Sequence, residues 1–111
     1  MDKLANYRPI IQSVLQQHAQ SKPSHGEIEV YTAFDEQQDH YQVVHAGWSG
    51  TTRVFGPLIH IDLINDKIWI QYDGTEVGVA NQLVDLGVPK TDIVLAYHAP
   101  IMRQYDGFAM A

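Results

Sequence analysis

Two runs of strict alternation separated by a turn dipeptide, followed at once by a helical stripe, leave few folds open to this chain. The stretch is LIHIDLINDKIWIQYDGTEVGVANQLVDLG, residues 58–87. Ile59, Ile61 and Leu63 fall on one side of an extended strand, and Leu58, His60 and Asp62 on the other. Asn65-Asp66 supplies the turn. Alternation then resumes over 67–72, with Ile68, Ile70 and Tyr72 opposite Trp69 and Gln71. Asp73-Gly74-Thr75-Glu76 reverses the chain and starts a helix, with Asp73 or Thr75 as N-cap and Glu76 near the positive helix end. Val79, Ala80, Leu83, Val84 and Leu86 recur at helical spacing, and Gly87 and Pro89 stop the helix. A hairpin running into an amphipathic helix is the nucleus of a small α+β domain. It does not specify an activity.

The flanking segments extend this nucleus. Over residues 2–20, Leu4, Tyr7, Ile10, Ile11, Val14, Leu15 and His18 recur at spacings of three and four, which predicts a helix with one apolar face. Pro9 costs about 3 kcal/mol in a helix interior, so the regular helix is expected to begin near Tyr7 with a weak first turn, the alternative being a kinked longer helix. Residues 21–26, SKPSHG, read as a loop. Residues 27–35 form a strand with Ile28, Val30 and Phe34 inward. Residues 39–48 form a second, with Tyr41, Val43 and His45 opposite Gln42, Val44, Ala46 and Trp48. Residues 52–63 form a long third strand that Gly56-Pro57 interrupts with a bulge or bend. Residues 91–98 offer a short fifth strand, and the tail over 100–111 is irregular, with room for one helical turn at 101–105. The order α-β-β-β-β-α-β predicts an antiparallel β-sheet meander, with the N-terminal and second helices packed on one face in two layers.

Such a sheet leaves its second face carrying Tyr31, Val44, Trp48, Leu58, His60, Trp69 and Gln71. That surface is too apolar to stand as a contiguous patch in water, so either the tail or another protein is expected to cover it. Trp48, Leu58, His60, Trp69 and Gln71 are therefore the candidate partner-binding residues. Buried tryptophans are usually core, but aromatics on a second sheet face also serve as interface anchors.

Composition narrows the function classes. The 111 residues make one domain, 1–111. Cysteine is absent, which excludes disulfides, thiol nucleophiles and Cys-based metal sites and suits a cytoplasmic protein. No apolar run approaches the roughly 20 residues of a membrane helix, so no membrane association is expected. Net charge is −6, and the seven basic residues are scattered singly, so direct nucleic-acid binding by this chain alone is not expected.

Motifs for chemistry are sparse. His60-Ile61-Asp62 places two possible metal ligands on one strand face, and His45 or His98 is a candidate third, for a small metal-dependent enzyme. A metal site needs three or four converging ligands, however, and a half-buried polar pair accounts for two. Asp73 and Glu76 have acid–base chemistry, but their place at a helix start favours capping. Neither Gly-containing segment, at 47–50 or 73–78, matches a phosphate-binding loop, and no Ser-His-Asp set can be singled out. No cofactor is expected.

More specific than any of these motifs is a resemblance that spans nearly the whole chain. The successive segments YRPIIQ, FDEQQDHYQVVHAGW, RVFGPLIHIDLINDKIWIQYDGTE and VANQLVDLGVPKTDIVLAYHAP resemble the XisI family. Members are small cyanobacterial proteins named as controlling factors for excision of a DNA element that interrupts the ferredoxin gene fdxN. The resemblance implies a non-enzymatic accessory factor that works beside a companion, XisH, and a site-specific recombinase. The family supplies no catalytic residues to carry onto this chain. The expected partner is thus an XisH-like protein, with self-association the other option the aromatic face admits.

Overall fold

The computed structural model describes residues 3–20 and 27–111. The loop expected at 21–26 lies outside the described residues. The elements are helix α1 (Lys3–Ala19), strands β1 (Glu27–Asp35), β2 (His40–Ser49), β3 (Thr52–Ile64) and β4 (Lys67–Asp73), helix α2 (Val79–Asp85) and strand β5 (Ile93–Leu95). Short 3₁₀ turns occupy Lys90–Asp92 and Pro100–Tyr105. The strands lie in sequence order in one five-stranded sheet.

The α+β class and the meander of β1–β4 are as the alternation predicts. The fifth strand extends this antiparallel meander by pairing parallel to β4, which makes the sheet mixed and mostly antiparallel. The helical crossover through α2 returns the chain to the same end of the sheet, so the next strand must run alongside β4 in the same direction.

Asn65 and Asp66 both sit at positive φ, 53° and 63°, as a two-residue turn matched to strand twist demands. Helix α2 starts later than expected, at Val79. Asp73 shapes the lead-in instead: its Oδ1 accepts from the Thr75 amide at 2.9 Å, and its Oδ2 accepts from the Val79 amide at 2.8 Å. At the other end Gly87 takes φ 99°, its amide donates to Val84 O at 3.0 Å, and the Val88 amide donates to Leu83 O at 3.1 Å. This is a Schellman C-cap.

Helix α1 is continuous through Pro9, contrary to the expected start near Tyr7. Burial of Ile11, Val14 and Leu15 against the sheet, each contributing about 1.5–3 kcal/mol, outweighs the proline penalty. Side-chain bonds also hold the residues of the helix just before Pro9. Tyr7 Oη and Lys3 Nζ donate to Asp92, and Arg8 forks onto Asp39 at 2.8 and 3.1 Å. The core beneath α1 contains Tyr41, Val43, Ile59, Ile61, Ile68, Ile70, Leu83 and Ile93.

Two bulges break the alternation. Val44 pairs with Pro57 and Val43 with Ile59, leaving Leu58 as an extra residue in β3. This is the interruption anticipated beside Gly56-Pro57. His60 pairs with Tyr72 and Ile61 with Ile70, leaving Gln71 as an extra residue in β4. Each bulge reverses the facing of the residues beyond it. Leu58 therefore packs against the core rather than on the second face, and Tyr72, expected inward, is 49% exposed beside His60.

Candidate functional site

The second face of the sheet carries a cluster centred on Asp62. Asp62 is only 8% exposed, and it pairs across the sheet with His40 on β2 and Trp69 on β4. His60 lies two residues back on the same strand and so points to the same face. His40 Nδ1 donates to Asp62 Oδ1 at 2.7 Å, and His60 Nε2 donates to the same oxygen at 2.8 Å. The other oxygen, Oδ2, accepts from Gln71 Nε2 at 3.2 Å. The bulge that makes Gln71 an extra residue is what brings its amide to Asp62.

One carboxylate thus collects two imidazoles and an amide. The three ligating atoms of His40, His60 and Asp62 lie within 4.8 Å of one another. The imidazole centroids are 6.1 Å apart. Above them opens a surface pocket of about 460 Å³, walled by Ala33, Phe34, Asp35 and Gln42. His40 titrates above the usual imidazole range, first because its hydrogen bond to Asp62 favours the charged ring, then through the charge of Asp62; Asp35 and Asp39 act in the same direction, against burial.

The third member of the cluster is His40, not the expected His45 or His98. His45 alternates with Tyr41 and Val43 toward the helix side, and His98 bonds Asp106 at 3.2 Å. Spacing within a strand exposes His60 and Asp62 as a pair. Only the register of β2 on β3 adds His40.

The other expected partner-binding residues gather around this cluster only in part. Gln71 and Trp69 border it. Trp48 lies six residues along β2 from Gln42, the partner of His60, or roughly 20 Å away at strand rise. It is 50% exposed, and the Arg53 guanidinium sits 5.3 Å from its ring and 5.5 Å from that of Phe55, which is 67% exposed. Phe55 belongs to this aromatic end, and the alternation of 52–63 did not single it out.

Trp69 is covered. Arg103, from the tail, lies 5.5 Å over its ring and donates to the carbonyls of Ala96, His98 and Met110. The tail is strapped to β5 by the Ala109 amide, which donates to Ile93 O at 2.8 Å. It therefore closes the β4–β5 end of the second face and leaves the β1–β3 end open. Its own outer surface exposes Ile101, Met102 and Tyr105, residues that the irregular sequence of 100–111 did not mark as a patch.

The family model described as XisI protein matches residues 1–110. The chain belongs to the XisI family. A crystal structure of an XisI-like protein from Anabaena variabilis ATCC 29413 superposes with a TM-score of 0.91 at 36% identity, covering 97% of this chain and 99% of that one. A second, described as fdxN element excision controlling factor XisI from the same organism, superposes at 0.86 with 33% identity, covering 99% and 100%. No curated protein matches the chain in sequence. The XisI fold thus extends over nearly the whole chain. Among the described residues, no helix is long and apolar enough to cross a membrane.

Proposed function

We propose that this XisI-family chain is a non-enzymatic accessory factor that controls excision of a DNA element by a site-specific recombinase. It acts in the cytoplasm through contacts with an XisH-like protein. The observation that carries this reading is the end-to-end relation to a protein described as an fdxN element excision controlling factor. The charge of −6 supports action through protein rather than DNA, because phosphate binding draws on clustered cations that this sequence lacks. The open aromatic end at Trp48 and Phe55 offers the anchor type that protein interfaces favour.

Co-expression of the chain with an XisH-like protein, followed by size-exclusion chromatography with bound DNA assayed, tests the proposal. Co-elution of the two proteins free of DNA is expected. Separate elution, or salt-sensitive capture of DNA by this chain alone, would contradict it.

A further inference from the structure

We propose that His40, His60 and Asp62 form a binding site for a borderline divalent transition-metal ion of the zinc, cobalt and nickel class, open to solvent or to a further ligand on its pocket side. Nothing in the excision-control reading requires such a site. It rests on the geometry of the second sheet face alone.

Three observations support it. The donor set is two imidazole nitrogens and one carboxylate oxygen, which suits zinc-class ions and disfavours magnesium and calcium, whose ligands are oxygens. The donors are also already gathered. Around a tetrahedral ion with bonds of about 2.1 Å, ligating atoms stand about 3.4 Å apart. Here both nitrogens approach the same carboxylate oxygen, at 2.7 and 2.8 Å, and no pair exceeds 4.8 Å. Small side-chain rotations convert one spacing to the other. Each imidazole presents a lone pair at that nitrogen by tautomer exchange, or by loss of its second proton if charged.

The third observation is the support around the ligands. Asp62 is buried, and Gln71 donates to the oxygen that the histidines leave free, which orients the carboxylate as outer residues do in metal sites. Two β-bulges flank the cluster, at Leu58 and Gln71, a placement common beside functional sites. Three protein ligands facing a pocket, with room for water at a fourth position, match an open metal site rather than a closed structural one.

Tag-free protein, stripped with a chelator, tests the site by calorimetric titration with zinc and by visible absorption on adding cobalt. One zinc per chain is expected, with a melting temperature raised by about 5–15 °C at saturating metal and no shift with magnesium or calcium. Cobalt should develop d–d bands. His40→Ala and His60→Ala should each weaken zinc binding by about tenfold or more. His40 is half in water, so its variant will fold even if Asp62→Asn does not. Failure of zinc to bind or stabilise the stripped protein up to about 1 mM would overturn the proposal, as would zinc binding unchanged in the His40→Ala/His60→Ala double variant.

Discussion

Asp39 and Asp62 are close neighbours with nearly equal exposure, 9% and 8%, and opposite roles. Asp39 precedes His40, the residue that pairs with Asp62. Its carboxylate takes the Arg8 fork and the Tyr41 hydroxyl at 2.8 Å, on the side where α1 packs. Neither partner changes protonation near neutral pH: Asp39 holds Arg8 charged, and burial with the bond to Asp39 pushes Tyr41 up to about 12. Asp62 takes two imidazoles on the open face. Imidazoles exchange protons near neutrality and bind metals. Burial alone therefore does not tell a fastening from a site. The partners do.

The contrast can be broken most severely at Asp39. Asp39→Ala leaves Tyr41 and the Arg8 fork without their acceptor, and should cost about 2–3 kcal/mol, a fall in melting temperature on the order of 10 °C. Asp62→Ala, whose imidazole partners can turn to water, should cost less than half as much by urea unfolding. Equal losses would erase the distinction.

A pH series sharpens it. The Arg8 bond, followed by the Tyr41 bond, holds the folded Asp39 carboxyl below its usual range, against burial. Stability from a depressed carboxyl is fully present above the unfolded pKa of about 3.9 and is lost as pH falls through the folded value. Wild-type stability should therefore drop below about pH 4 more steeply than that of Asp39→Asn, measured by urea unfolding from pH 6 to 3. The smallest effect is at His40, which is exposed: His40→Ala should leave the urea midpoint of unfolding close to that of wild type.

Much of the fold is legible in the sequence because alternation and helical stripes are local. The four long strands, the Asn65-Asp66 turn and the Gly87 stop are set by residues close in the chain. The rest depends on pairing between distant segments. The bulge at Gln71 turns Tyr72 outward although the alternation through Ile68 and Ile70 runs unbroken into it. The parallel direction of β5 comes from the crossover rather than from its three residues. At the site, His60 and Asp62 are visible as a pair on one strand, but His40 joins them only through the β2–β3 register. Helix α1 passes Pro9 because long-range contacts with Asp39 and Asp92 hold the residues before it, and burial of Ile11, Val14 and Leu15 holds those after it. The tail's hold on Trp69 depends on one arginine in a segment with no periodicity.

The helix side of the sheet holds the fold, and the proposed partner contacts lie on the open side. Trp48 stands on the open side, away from both the core and the Asp62 cluster. The most direct test is the affinity of the Trp48→Ala chain for the XisH-like protein, measured by calorimetry beside its melting temperature. Affinity should fall by about tenfold or more, as for a central aromatic anchor, with the melting temperature unchanged. Unchanged affinity in a folded Trp48→Ala chain would contradict the assignment of recognition to that face.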